Sequence, residues 1–240
     1  MQQPRKTYLL TGGTGYLGSL LSLQLLKKGN KIIFLGRLKN GETFKNRIEK
    51  KMRNLGENVP FENIETLEIE LSKKNPGLSE QTLSRLKNTV DAIWHLAADL
   101  SFKGEDKDRV FATNIRGLKN ILYFTDQTNI PLYYTSTAYV HGVRSGLIFE
   151  NELIRPKKFN NHYEESKFEA EKIIHEWSKS PKNEFIIFRP SILIERKFKA
   201  AGFFGYYVVL SALNKLSQEL MKNGRNLVFP FPYSKKTWVN

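Results

Sequence analysis

Short runs of consecutive apolar residues alternate along the chain with longer stretches in which apolar positions recur every three or four residues. Runs such as Tyr8-Leu9-Leu10 and Ile32-Ile33-Phe34-Leu35 suit strands buried on both faces, and the longer stretches suit helices with one apolar stripe. Strands are expected near Lys6–Thr11, Lys31–Gly36, Ile64–Leu71, Ala92–Leu96, Leu132–Ser136 and Glu184–Arg189. Helices are expected near Leu17–Lys28, Thr43–Leu55, Ser79–Lys87, Lys107–Thr128 and Asn161–Ser180. Strand and helix in regular alternation imply a parallel sheet covered on both faces. The expected class is therefore α/β, a doubly wound parallel sheet of the Rossmann type.

One turn in this pattern carries chemistry. Thr11-Gly12-Gly13-Thr14-Gly15-Tyr16-Leu17-Gly18 follows the first strand and opens the first helix. Its glycines satisfy G-x-G-x-x-G at Gly13, Gly15 and Gly18, and T-G-x-x-G-x-x-G from Thr11 through Gly12 and Gly15 to Gly18. A dinucleotide pyrophosphate needs a backbone it can approach and a helix N-terminus whose N–H groups and dipole favour negative charge. Gly12 is expected to turn the chain, Gly15 to leave room for phosphates, and Gly18 to let the helix pack on the strand. A glycine turn that merely joins strand to helix is the plainer reading; the flanking elements favour the nucleotide. The second strand ends at Gly36-Arg37, where an NAD-binding chain carries a carboxylate for the ribose hydroxyls. An arginine there suits the 2′-phosphate of NADP(H) instead.

Composition narrows the rest. The 240 residues suffice for one α/β domain and part of a second lobe. Cysteine is absent, which excludes disulfides, thiolate metal sites and a thiol nucleophile, and suits a cytoplasmic protein. The sequence begins without a signal-like apolar region, and its longest apolar run, near Phe203–Leu213, is too short for a membrane helix, so no transmembrane segment is expected. The net charge of +14 is scattered and has no nucleic-acid-binding signature beside it, so it points to phosphorylated ligands or a solvated surface, with no nucleic acid. His95, His141, His162 and His175 lack ligand spacing, so no metal is expected.

Further blocks follow the turn in order: Leu35-Gly36-Arg37 with Arg47; Val90-Asp91-Ala92-Ile93-Trp94-His95-Leu96-Ala97-Ala98; Thr113-Asn114-Ile115-Arg116-Gly117; Ser136-Thr137-Ala138-Tyr139-Val140; Tyr163-Glu164-Glu165-Ser166-Lys167; and Phe188-Arg189-Pro190-Ser191-Ile192. On these blocks the chain resembles the extended short-chain dehydrogenase/reductases, most of all the fatty acyl-CoA reductase and thioester reductase branch with its male-sterility-type NAD-binding domain. The resemblance implies cofactor contacts at Gly12, Thr14, Gly15, Tyr16, Leu17, Gly18, Arg37, Arg47, Ala97, Ala98, Pro190, Ser191 and Ile192. It also implies contacts from Glu70 and Leu71, where this chain reads Ile69-Glu70-Leu71 in place of Gly-Asp-Leu. Residues 1–190 would form the NADP-binding domain with the catalytic residues, and 191–240 a partial substrate lobe, with Gly202–Leu210 as core or as a wall for an acyl chain.

Tyr163 and Lys167, spaced i and i+4, share one face of a helix. A phenol with an ordinary pKa near 10 works near neutrality only when a cation favours its phenolate, and Lys167 is expected to supply that charge and to bond the nicotinamide ribose. By resemblance Thr137 places a hydroxyl on the substrate oxygen, with Ser136 as the alternative donor, and Asn114 supports the site. The function so implied is NADPH-dependent reduction of an acyl thioester, small or carrier-bound, to aldehyde or alcohol. Two alternatives stand beside it: an epimerase, dehydratase or hydroxysteroid-type dehydrogenase, and a non-catalytic NADP(H) sensor. Many relatives pair into homodimers through a four-helix interface.

Overall fold

A computed structural model describes residues 4–56, 58–73 and 78–193, together with 215, 218 and 219. Contacts divide the chain into Met1–Ala200 and Ala201–Asn240. Beyond Leu193 the expected substrate lobe, including the aromatic stretch Gly202–Leu210, lies outside the described residues apart from those three.

The first unit is a parallel sheet of β1 (Thr7–Thr11), β2 (Lys31–Gly36), β3 (Ile64–Glu68), β4 (Ala92–His95), β5 (Leu132–Thr135) and β6 (Phe185–Phe188), in the order β3-β2-β1-β4-β5-β6. The order reverses between β1 and β4, and a crevice at such a switch point is where this architecture binds ligands. In register, Thr11 at the end of β1 lies between Leu35 and His95.

Neighbouring strand residues serve opposite faces, so the central strands β1 and β2 read as nearly continuous apolar runs. Leu10, Ile32 and Phe34 pack with Leu26 of α1 (Tyr16–Lys27) and with Phe44, Ile48 and Met52 of α2 (Phe44–Leu55). Leu9, Ile33, Ile93, Leu132 and Tyr134 face the other way. They meet Leu86 of α3 (Glu80–Thr89), Leu118 and Ile121 of α5 (Gly117–Thr128), and Ala170 and Ile174 of α6 (His162–Trp177). Each fully buried Leu or Ile contributes about 1.5–3 kcal/mol. Side-chain oxygens start three of these helices: Thr43 accepts from Asn46 N–H, Ser79 from Thr82 N–H and Asn161 from Glu164 N–H.

Two expectations change. The single helix over Lys107–Thr128 is instead α4 (Lys107–Phe111), a π-helical turn over Ala112–Arg116, and α5. The cause is tertiary: buried Asn114 is held by the Asp99 backbone and by Ser166 of α6, and the wider turn delivers it there. The third strand ends at Glu68 rather than at Leu71, because Glu70 turns aside toward Arg37 and Ser72. Among the described residues no helix is long and apolar enough to cross a membrane.

Candidate active site

The glycine turn is compressed from three sides. Gly12 has φ +78°, and a Cβ there would stand 2.7 Å from the backbone of Leu96 and Ala97. A Cβ on Gly13 would meet the Phe34 ring at 2.3 Å. On Gly18 it would lie 2.3 Å from the Gly12 carbonyl oxygen, so Gly18 is small to accommodate the turn itself rather than to bring the helix onto the strand. Gly15 donates to the Gly12 carbonyl at 2.9 Å and is the N-cap of α1, where no side chain caps the helix and no acid occupies the first turn. Tyr16 and Leu17 form that first turn. A backbone left bare at an uncapped helix start fits a dinucleotide pyrophosphate.

At the ribose end Arg47 donates to the Arg37 carbonyl at 2.9 Å and to Thr14 Oγ1 at 3.4 Å. Arg37 pairs with Glu70 at 3.3 Å. Burial raises the Glu70 pKa, but the Ser72 hydroxyl and the Arg37 charge outweigh it and hold the carboxyl below its usual range. Leu71 offers its carbonyl to Asn120 at 2.7 Å. The turn is bound to β4 through Thr11, whose Oγ1 accepts from Ala97 N–H at 3.1 Å and lies 2.7 Å from His95 Nδ1, with Ala98 next along the chain. Thr14, Arg37, Arg47 and Glu70 thus converge, as do Gly12, Gly18 and Ala97.

Beyond the ends of β5 and β6 the second group assembles. Thr137 caps the 3-10 turn Ala138–His141 through Tyr139 N–H, and Ala138 N–H donates to the Pro190 carbonyl at 3.0 Å, which places Pro190, Ser191 and Ile192 beside Thr137. The Thr137 hydroxyl lies close enough to the Tyr163 phenol to oppose the burial that pushes this phenol up to about 12. Glu164 adds a smaller push in the same direction as burial. Ser136 Oγ is buried with no hydrogen-bond partner among the described residues.

Lys167 is held at the end of β5. Its ammonium donates to the Thr135 carbonyl at 2.8 Å and to Tyr134 Oη at 3.2 Å, and it lies 4.7 Å from the centre of the Tyr134 ring. Burial pushes it down to about 7 against the pull of Glu171. Burial favours the protonated phenol at Tyr163, with the Thr137 hydroxyl acting against it. Asn114 donates to Ser166 Oγ at 2.9 Å and to the Asp99 carbonyl at 3.0 Å, and so ties the π-helical turn to the helix that carries Tyr163 and Lys167.

Three residues escaped the sequence reading. Tyr134 gave no signal beyond an aromatic in a strand. Phe102, whose ring centre lies 6.0 Å from that of Tyr163, looked like loop. Glu171 continues the four-residue spacing of Tyr163 and Lys167, and that signal could have been read. It is fully buried and bound by Arg189 at 2.6 Å, and Arg189 also donates to the carbonyls of Glu150 and Glu152. His95 was expected to be structural, and burial keeps it neutral with a pKa of about 3.

Comparison with known proteins matches residues 10–230 to the family model of the male sterility protein. The chain belongs to that family. With it the chain joins the extended short-chain dehydrogenase/reductases, oxidoreductases that bind a nicotinamide dinucleotide. It is 32% identical over 147 residues to fatty acyl-CoA reductase 1 of Homo sapiens, a match covering 57% of this chain and 28% of that protein. It is 29% identical over 140 residues to a UDP-N-acetyl-alpha-D-glucosaminuronate decarboxylase of Bacillus cytotoxicus, covering 58% of this chain and 38% of the relative. The terminal R domain from the myxalamid PKS-NRPS biosynthetic pathway superposes with a TM-score of 0.78 at 29% identity, over 90% of this chain and 57% of that one. The chain therefore spans about a quarter of the curated reductase and over half of the solved domain.

Proposed function

We propose that this chain is the NADPH-binding catalytic part of a reductase acting on acyl thioesters, carried by coenzyme A or by a carrier protein. The observation that carries the reading is the pair of hydroxyls on Thr137 and Tyr163, in a member of this family whose β1–α1 turn is a glycine cradle. Gly12, Gly15 and the start of α1 would hold the pyrophosphate, and Thr14, Arg37 and Arg47 the 2′-phosphate. Glu70 shares their corner, and a carboxylate there is what ribose hydroxyls would prefer; the comparison of NADPH with NADH decides between the two.

When bound, the nicotinamide supplies hydride: thioester, NADPH and one proton give aldehyde, free thiol and NADP+, and a second equivalent gives the alcohol. The two hydroxyls would receive the thioester oxygen, stabilising negative charge as it develops. Tyr163, kept protonated by burial, is suited to donate rather than to accept. Lys167 is anchored in the sheet by the Thr135 carbonyl and Tyr134, and would meet a cofactor hydroxyl without searching for its position. Asn114 keeps α6 in register with the loop at Asp99.

The test is cofactor oxidation by the full-length protein with acyl-CoA and acylated carrier, NADPH against NADH, for the wild type and Tyr163→Phe. Turnover with NADPH should fall by about a hundredfold or more in the variant, while cofactor affinity stays within about twofold. A variant as active as the wild type would remove Tyr163 from the chemistry. Tightly retained NAD with no thioester turnover would favour the epimerase and decarboxylase side of the superfamily.

A further inference from the structure

We propose that a basic cavity at the start of α6 seats the phosphate of the substrate's pantetheine arm, so that the thioester is presented to Tyr163 from the side of Phe102. The inference rests on the thioester-reductase reading and names the part of the substrate that this surface recognises.

The cavity, of about 450 Å³, is lined by Lys107, Arg155, Lys157, Lys158, His162 and Glu165 among others. Four permanent cations thus face one carboxylate. Glu165 is shared between Lys107 at 3.9 Å and Arg155 at 3.0 Å, and Arg155 is further bound by Glu169. Lys157 and Lys158 are exposed and have no ion-pair partner among the described residues. The Lys158 carbonyl accepts from Val143 N–H at 3.1 Å, so the backbone that presents these ammonium groups is fixed. The second observation is independent of charge. His162 Nε2 is buried and lacks a hydrogen-bond partner among the described residues. A buried ring nitrogen without a partner is costly, and a ligand oxygen would satisfy it.

Two chain connections bring this cavity to the reacting centre. His162 directly precedes Tyr163 as the first residue of α6. Gly104, another lining residue, lies two residues beyond Phe102, whose exposed ring is the neighbour of Tyr163. None of the residues assigned to the dinucleotide lines the cavity, so its cations are surplus to cofactor binding. A phosphate ester on a long, mostly uncharged arm has the required chemistry: lysines supply point charges to its oxygens, and exposed Phe102 offers an apolar surface beside Tyr163. Coenzyme A and phosphopantetheinylated carriers share this phosphate, and the assay separates them.

The experiment measures KM for one acyl group on pantetheine, on 4′-phosphopantetheine, on coenzyme A and on a phosphopantetheinylated carrier protein. The full chain is compared with Lys157→Ala/Lys158→Ala and with Lys27→Ala/Lys28→Ala, which removes the same charge from the end of α1. The wild type should favour the phosphopantetheine ester over the pantetheine ester about tenfold. The first variant should reduce that preference to about twofold, with kcat on the pantetheine ester unchanged, and the second should keep it. Coenzyme A binding no better than phosphopantetheine would assign the site to the carrier arm; a further gain from coenzyme A would extend it to the nucleotide. No phosphate preference in the wild type, or equal loss in both variants, overturns the proposal. If no thioester is reduced at all, the function proposed above fails. Calorimetry with 4′-phosphopantetheine against pantetheine then tests the cavity alone: selective binding lost in Lys157→Ala/Lys158→Ala supports it, and absence of binding refutes it.

Discussion

Lys167→Met should remove a pH-dependent destabilisation from the protein while abolishing its proposed chemistry. Lys167 is 2% exposed, and the hydrogen-bond partners of its ammonium among the described residues are a carbonyl and a phenol. Its pKa falls from 10.5 to about 7, so between those values the unfolded chain binds a proton that the folded chain gives up, and stability rises with pH across this window. At about 1.4 kcal/mol per pH unit, the burden at pH 6 is about 5 kcal/mol, and at pH 10 it is about 1. Methionine fills the space of the stem and removes this burden. It also strips a donor from Thr135 O and Tyr134 Oη, at about 1–3 kcal/mol for each group left unpaired. With about 2–6 kcal/mol lost for the two acceptors together, the variant should lie between about 1 kcal/mol below and about 3 kcal/mol above the wild type at pH 6, and about 1–5 kcal/mol below it at pH 10, a swing of about 4 kcal/mol. Urea unfolding of both proteins across that range measures the difference, and groups that titrate equally in both cancel. A difference that stays flat from pH 6 to pH 10 would refute the claim that this lysine is buried at the cost of its charge.

Three other substitutions have expected outcomes. Gly18→Ala places a Cβ against the Gly12 carbonyl and should cost about 1–3 kcal/mol in urea unfolding, with a marked loss of dinucleotide affinity by fluorescence titration. Glu171→Ala leaves the Arg189 guanidinium without its carboxylate in a mostly buried place; a loss of about 3–5 kcal/mol is expected from thermal or urea unfolding, and Glu171→Gln should lose less. Tyr134→Phe keeps the ring but takes one of two acceptors from Lys167. Loss of an acceptor disfavours the ammonium, so the alkaline limb of kcat/KM should move to lower pH by about one unit.

All six strands were legible in the sequence as short runs rich in apolar residues; β1, β2, β4 and β5 are so because helices cover both faces, whereas the edge strand β3 intersperses polar Glu65, Thr66 and Glu68. The starts of α2, α3 and α6 were equally plain, since Thr43, Ser79 and Asn161 announce them locally. The break at Asn114 was not, because its cause lies in Asp99 and Ser166, fifteen residues before and fifty-two after it. Periodicity records which side of a helix is apolar and is silent about one buried amide that widens a turn. For the same reason the pairing of Thr137 with Tyr163 could be expected only through a family resemblance. The anchoring of Lys167 on Tyr134 could not be expected at all: a tyrosine in a strand reads the same whether its hydroxyl meets water or an ammonium group.

That anchoring alters how the site is understood. Burial acts on both groups assigned to the proposed chemistry, raising Tyr163 to about 12 and lowering Lys167 to about 7, and in each it favours the uncharged form. A site built to take a proton from an alcohol would need the phenolate, hence a cation near the phenol oxygen. Here the ammonium is turned to the sheet, and Thr137 is the phenol's neighbour. A phenol that holds its proton through neutral pH is matched instead to a carbonyl oxygen gaining negative charge, which is the demand of the proposed reduction. The same argument predicts asymmetry between directions: the reverse oxidation of an alcohol should need higher pH than the forward reaction, because Tyr163 must first surrender its proton. Forward and reverse kcat measured from pH 6 to pH 10 test this, and coincident profiles would mean that some group other than Tyr163 handles the proton.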